Sequence, residues 1–107
     1  MRGGMYKMAK ITLESRIKRQ DNTPWKEIEK EGIILKLKDG DYFAVNEVGL
    51  YIWKSLNGTK KLDQIAQRIS SHYKINKARA LSDLLRFIKT LHKKGLTVIC
   101  EPKRNQC

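Results

Sequence analysis

Few residues of this sequence have the types and spacing that catalysis or metal binding requires. Its two histidines, His72 and His92, each fall near the end of a predicted helix, and neither is spaced with a serine, cysteine or carboxylate as a base and its nucleophile would be. The two cysteines, Cys100 and Cys107, lack the matching histidines of a zinc site. We therefore expect no catalytic residue, no metal and no cofactor, and we interpret the chain as a binding module.

The acidic residues also have structural explanations. Glu27, Glu29 and Glu31 alternate along a charged segment and are expected to face solvent. Asp39-Gly40-Asp41 is too short for a calcium loop of the EF-hand type, which needs a longer series of ligands. The Asp-Gly pair favours a tight turn instead, because glycine adopts positive φ at little cost.

The composition indicates one small domain with a strongly basic surface. The chain has 107 residues, of which 40% are hydrophobic, enough for one small core but not for a deep catalytic cavity. No apolar run reaches the ~18 residues of a membrane helix, and no apolar signal segment opens the chain, so we expect a cytoplasmic protein with reduced thiols and no membrane contact. A net charge of +12 and a pI near 9.9 favour acidic peptides or nucleic acid as partners.

The first half of the chain predicts an antiparallel meander. Residues 21–24 form a turn, and three strands are expected over residues 25–30, 32–38 and 41–45. The last two strands flank Asp39-Gly40, for which we predict a type I′ hairpin turn with positive φ at both central residues. The segment 11–19 fits either a strand or a short helix.

The second half predicts three helices and a short final strand. Asn46 is expected to cap the first helix by accepting the N–H of residue 48 or 49, and Asn57-Gly58 is expected to end it. A second helix is predicted over residues 62–72, and a third runs from an Asn76 cap to Gly95. Residues 96–100 are then predicted to form a strand.

These elements together predict an α+β fold of the winged helix-turn-helix type, a three-stranded antiparallel β-meander followed by three α-helices. We expect a flexible or weakly ordered arm over residues 1–20, the folded domain over 21–100 and a polar tail over 101–107. Two functions suit this shape. A winged helix places a helix in the major groove of DNA, or it accepts an extended peptide on the open edge of its sheet.

Residues 32–99 resemble the PqqD-like family, the precursor-peptide recognition element of ribosomally made and modified peptides. The resemblance depends on several weak motifs that occur in order. Lys61 departs from the family's threonine at the start of the second helix, so we expect Thr59 or water to cap that helix, and Val45 replaces a leucine. The matching motifs are Tyr42-Phe43-Ala44-Val45-Asn46, Glu47-Val48-Gly49 with Ile52-Trp53, Asn57-Gly58-Thr59, Asp83-Leu84, Phe87-Ile88, Leu91 and Gly95-Leu96.

The resemblance implies a protein without catalytic activity that binds the leader segment of a precursor peptide and presents the peptide to a modifying enzyme, such as a radical SAM protein or a leader peptidase. The strand over residues 41–45 should lie at a sheet edge and accept the leader as a further strand, with the third helix as the opposite wall. We expect a monomer or weak homodimer and no specific nucleic acid. The predicted peptide-binding residues are Asp41, Tyr42, Phe43, Ala44, Val45, Arg79, Asp83, Leu84, Arg86, Phe87, Lys89 and Lys93.

Two other functions stay open at this point. One is a winged-helix DNA-binding protein, although the third helix exposes mostly lysine and lacks the amide forks that read bases, which favours non-specific attraction. The other is a small regulatory subunit without a precursor peptide. Tyr42 fits either the groove or an ordinary surface, and Leu84 and Phe87 fit either the groove or the core. Trp25 fits either an anchor of the first strand or a cover for a partner.

Overall fold

The computed structural model describes residues 11–100. Within these residues, three helices and six strands form an α+β fold, which confirms the predicted fold class. In chain order the elements are β1 (Arg16–Arg19), β2 (Trp25–Ile28), β3 (Glu31–Lys36), β4 (Asp41–Val45), α1 (Glu47–Ser55), β5 (Asn57–Lys61), α2 (Leu62–Tyr73), α3 (Lys77–Lys93) and β6 (Thr97–Ile99).

The predicted meander is present as the antiparallel sheet β2-β3-β4. Its side chains alternate as the sequence pattern requires, because neighbouring residues of a strand point to opposite faces. Ile34 and Val45 are buried against the helices, whereas Tyr42 and Ala44 are exposed on the other side. The sheet therefore packs one face on the core and leaves the other open.

The turns of the meander differ from the prediction. The β3–β4 connection has four residues, 37–40, and Gly40 alone among them has positive φ, at 75°. The Gly40 N–H donates to the Lys36 carbonyl at 2.9 Å. A type I′ turn is therefore wrong here, although glycine does supply the left-handed residue. Residues 29–30 form the β2–β3 turn with Glu29 at φ 54°, so they do not extend β2 as predicted.

A second antiparallel sheet, β5-β1-β6, is absent from the sequence prediction. Within the segment 11–19, residues Arg16–Arg19 form a strand and not a short helix. The predicted final strand is confirmed at β6. The prediction that Asn57-Gly58 ends α1 is wrong, because α1 ends at Ser55. Gly58 instead lies within β5 with φ 81°, next to an irregularity in the pairing with β1.

The start of α2 is capped by backbone from the segment before β1. The N–H groups of Leu62 and Asp63 donate to the carbonyls of Ser15 and Leu13, at 2.9 and 3.0 Å. The Lys61 N–H donates to Gln64 Oε1 at 2.8 Å. These bonds satisfy donors that a helix leaves free at its first turn, and their acceptors are backbone carbonyls and Gln64 instead of the expected Thr59.

The other helix caps follow the prediction. Asn46 Oδ1 accepts from the Gly49 N–H at 2.9 Å at the start of α1, and Asn76 Oδ1 accepts from the Ala78 N–H at 2.8 Å at the start of α3. The helices bury one core, in which Trp53 is fully enclosed. The largest side chains of this core are Trp53, Ile17, Ile34, Leu56, Leu62, Ile65, Ile69, Leu84, Ile88, Leu91 and Leu96.

The two ends of the domain differ in part from what the sequence predicts. Cys100 is disulfide-bonded, which contradicts the predicted reduced thiols. That prediction relied on the absence of an apolar signal segment at the start of the chain. The division into arm, domain and tail stays a prediction. Residues 1–10 and 101–107 lie outside the described residues, and β1 places Ile17, within the predicted arm, in the core at 1% exposure.

Candidate functional site

The strand β4 lies at the edge of the meander. The strand order β2-β3-β4 pairs β4 with β3 on one side, and no other strand of residues 11–100 pairs with its second side. The prediction that residues 41–45 form an edge strand is therefore confirmed. An edge strand exposes N–H and C=O groups that are able to pair with another extended chain.

A groove of about 610 Å³ adjoins the carboxyl end of β4. One wall is the end of β4, the floor is the first turns of α1, and the opposite wall is α3. The groove therefore combines an unpaired backbone edge with apolar and charged side chains. It is lined by Ala44, Val45, Asn46, Val48, Gly49, Ile52, Ile75, Arg79, Asp83, Arg86 and Phe87.

Gly49 leaves the floor of this groove free of a side chain. A Cβ atom at this position would lie 3.1 Å from Val45 Cβ and 3.4 Å from Phe87 Cζ, so a larger side chain would press on both walls. The helix is nevertheless well formed there, since the Gly49 N–H donates to Asn46 Oδ1. The residue that caps α1 and the residue that lowers the floor are thus held together by one hydrogen bond.

The charged rim of the groove is formed by about two turns of α3, from Arg79 to Arg86. Arg79 Nε lies 3.6 Å from Asp83 Oδ2, and Arg86 Nη1 lies 3.8 Å from Asp83 Oδ1. All three side chains are largely exposed, so these ion pairs contribute little to stability. Two arginines share one carboxylate, which leaves the rim with a net positive charge.

The structure brings six of the twelve predicted peptide-binding residues to the groove: Ala44, Val45, Arg79, Asp83, Arg86 and Phe87. Leu84 is not at the surface, because it is 0% exposed and packs in the core. The prediction that Leu84 is a peptide-binding residue was therefore wrong. The buried side of α3 is formed by Ala80, Leu84, Ile88 and Leu91.

Four of the other five lie along or beyond the groove. Phe43 is half-buried beneath Lys94, whose Nζ lies 4.9 Å from the ring centroid. Lys93 lies at the far end of α3, and Lys89 is exposed on the same helix. Asp41 opposes Lys36 across the β3–β4 pairing.

Tyr42 lies on the opposite face of the meander. It is 69% exposed and joins Trp25, which is 36% exposed, in a shallow apolar surface with Pro24, Ile33 and Leu35. The sequence did not decide whether these two aromatic residues contact a partner, and the structure places both outside the groove.

Three apolar residues of the groove were missed by sequence reasoning. Val48 and Ile52 come from α1, and Ile75 comes from the connection between α2 and α3. Val48 and Ile75 are half-buried, which distinguishes them from core residues, but partial burial is not visible in a sequence. Val48 directly follows the edge strand and its cap, which is the signal that would have drawn attention to it.

The residues considered for catalysis lie away from the groove. The His72 ring stacks on Tyr51 with centroids 5.5 Å apart, and His92 Nδ1 lies 3.2 Å from Thr97 Oγ1. Burial, with a smaller contribution from Glu47, raises the pKa of Tyr73, which is also outside the groove. Among residues 11–100, no group of three or more His, Cys, Asp or Glu side chains is placed to hold a metal ion. Within the same residues, no helix is both long and apolar enough to cross a membrane.

Comparison with known proteins identifies the family. The model of the family described as coenzyme PQQ synthesis protein D (PqqD) matches residues 31–96, most of the chain and all of the region around the groove. The chain belongs to the PqqD family. No curated protein sequence matches the chain.

Two solved structures have a similar fold. One is TbiB1 in complex with the TbiA(beta) leader peptide, which is 30% identical, with a TM-score of 0.68 over 75% of this chain and 93% of that chain. The other is lasso peptide synthetase B1 complexed with the leader peptide. It is 17% identical, with a TM-score of 0.69 over 78% of this chain and 98% of that chain, and this second similarity concerns the fold alone.

Proposed function

We propose that this protein binds the leader segment of a ribosomally made precursor peptide and presents the peptide to a modifying enzyme, without carrying out chemistry itself. The leader adds to the free edge of β4 and lies in the groove against α3. The observation that carries the proposal is this unpaired edge beside a groove with apolar walls. TbiB1, which is 30% identical to this chain, has been solved with a leader peptide, and this supports the proposal.

The physical basis is strand addition. Backbone hydrogen bonds to β4 supply affinity for an extended peptide of any sequence, and pockets for alternate side chains supply selection. The half-buried Val48, Ile75 and Phe87 offer apolar contact to such side chains. Arg79 and Arg86 offer charge at the rim. Asp41, Tyr42, Phe43, Lys89 and Lys93 remain proposed contacts along the same edge and helix.

The partner enzyme is of the kind that acts on leader-bearing peptides, for example a radical SAM protein or a leader peptidase. A monomer or weak homodimer in the cytoplasm stays our expectation.

The test is a titration of ¹⁵N-labelled protein with a synthetic leader from a short precursor encoded beside the gene. We expect the amide signals of Asp41–Val45 and of α3 to move, while those of Trp25–Ile28 on the opposite edge stay in place. A scrambled leader of the same composition is the control. Shifts confined to Trp25–Ile28, or no shift with any such leader, would contradict the proposal.

A further inference from the structure

A second cavity, of about 450 Å³, lies beyond Phe43 at the far end of α3. It is bounded by residues 20–23, by the end of β3 with the following loop, and by the C-terminal end of α3. Four lysine side chains line it, and we call them the lysine cluster: Lys36, Lys38, Lys93 and Lys94. Of these, sequence reasoning had singled out Lys93 alone.

The positive charge of the lysine cluster is only partly neutralised. Asp21 is the one acidic residue among the described residues that line the cavity, and Asp39 pairs with Lys36 at 3.0 Å. Within residues 11–100, no carboxylate lies within ion-pair distance of Lys38, Lys93 or Lys94. The cavity therefore carries an excess of positive charge that a ligand is able to compensate.

The lysine cluster reaches β4 through one of its members, Lys94. Lys94 Nζ lies 4.9 Å from the Phe43 ring centroid, and Phe43 is in the middle of β4. Val45, two residues further on, lines the groove with Phe87. Phe43 therefore lies on the side of β4 that faces the lysine cluster, and Val45 lies at the groove.

This geometry sets a spacing for a bound strand. Phe87 and Lys94 are seven residues apart on the α3 side, which is roughly 10 Å at ~1.5 Å per helical residue. An extended peptide covers that distance in about three residues, at ~3.3 Å each. A peptide lying on β4 therefore reaches the lysine cluster about three residues away from the side chain that it places beside Phe87.

We infer that the lysine cluster is a second subsite for the leader and takes aspartate or glutamate side chains about three residues from the apolar residue seated at Phe87. The inference depends on the proposed function, because the leader must lie along β4. A peptide is favoured over nucleic acid because Lys94 of the cluster contacts Phe43 of the edge strand. The groups of the cluster are also lysines, which lack the forked geometry that reads bases.

The test compares the double variant Lys93→Gln/Lys94→Gln with Lys30→Gln/Lys60→Gln. The control pair removes the same charge from a different surface, beside Tyr51 and Tyr73. At ~20 mM salt we expect the first variant to bind the cognate leader about three- to tenfold more weakly, and the control to stay within about twofold. At ~0.5 M salt the difference should largely vanish, because screening then acts over only a few ångströms. Lys93→Arg/Lys94→Arg should restore binding.

Substitutions in the leader peptide test where its acidic residue binds. Replacing the leader's Asp or Glu residues one at a time by Asn or Gln should weaken binding to the unchanged protein at one or two positions, about three residues from the apolar anchor. The same replacements should have no further effect on Lys93→Gln/Lys94→Gln.

Two results would overturn the inference while leaving leader binding intact. One is an equal loss of leader affinity in both double variants. The other is an unchanged leader affinity of Lys93→Gln/Lys94→Gln, including the case in which this variant loses affinity only for a duplex oligonucleotide. Absence of any leader binding by the unchanged protein overturns the proposed function and this inference together.

Discussion

The sheet β5-β1-β6 joins strands that are far apart in the chain, whereas β2-β3-β4 joins consecutive strands through short loops. In the first sheet Ile17 is 1% exposed, and carbonyls just before β1 hold the start of α2. In the second sheet β4 keeps an unpaired edge, and Trp25 and Tyr42 face outward. The first sheet therefore closes the core, and the second presents the groove. Changes in the two sheets should separate stability from binding.

Arg19 of β1 contacts the meander and the first helix. Its guanidinium carbon lies 5.8 Å from the ring centroids of both Trp25 of β2 and Trp53 of α1. Its Nη1 donates to the Trp53 carbonyl at 2.9 Å, close to the end of α1. A side chain of β1 thus links the closing sheet to both the meander and the first helix.

The largest effect is expected from Ile17→Ala. Removing a fully buried side chain leaves a cavity in the core and should lower the free energy of unfolding by about 2–5 kcal/mol. The matched change Ile28→Ala in β2, at 47% exposure, should cost less than about 1 kcal/mol. Urea denaturation measures both. Equal losses in the two variants would refute the division of roles between the sheets.

The next largest effect is expected from Phe87→Ala, which removes a side chain from the wall of the groove. Phe87→Ala should weaken leader binding about tenfold, because an aromatic contact of roughly 1–2 kcal/mol is lost, and it should also lower stability by about 1–3 kcal/mol. Leu85→Ala removes another half-buried side chain of α3, outside the groove, and should affect stability without affecting affinity. Calorimetric titration of the two folded variants distinguishes them. Similar affinities would remove Phe87 from the site.

A smaller effect is expected from reversing charge on the exposed side of α3. Arg86→Glu/Lys89→Glu replaces two positive charges by negative ones, the first of them beside Asp83. It should weaken leader binding several-fold, since each exposed pair contributes about 0.2–1 kcal/mol. The melting temperature should change little. Unaltered affinity at low salt would mean that the leader does not reach this rim, and the acidic contact would then lie at the lysine cluster alone.

The smallest effect is expected for nucleic acid. With a net charge of +12, the protein should bind arbitrary duplex DNA weakly, and the affinity should fall steeply as salt increases. Fluorescence anisotropy at low and physiological salt measures this. Sequence-selective nanomolar binding at physiological salt would instead favour the winged-helix DNA-binding function.

Features that depend on neighbours in the chain were predicted well. Asn46 and Asn76 cap their helices, since each accepts from an N–H two or three residues away. The meander follows from alternating apolar residues and short connections, although the Asp39-Gly40 turn type was wrong. The edge position of β4 follows in turn from the order of the strands.

Of the candidate site, the charged positions of α3 and the strand β4 were predicted from the pattern together with the family resemblance. Leu84 was misassigned because α3 is apolar over a wide arc, and only its packing partners decide which side is buried. Ile75 and Lys36 were missed because each approaches the groove or cavity from a different part of the chain.

By itself, the sequence determined the number and order of the helices, the meander, and a basic surface suited to acidic partners, because these depend on local periodicity, capping and composition. The tertiary structure decided the pairing of β1 with β5 and β6, and the capping of α2 by Leu13 and Ser15. It also brought the lysines that follow β3 together with those at the end of α3. Such contacts join residues 40 to 80 positions apart, and no local pattern encodes them; packing around Trp53 and its neighbours brings them together.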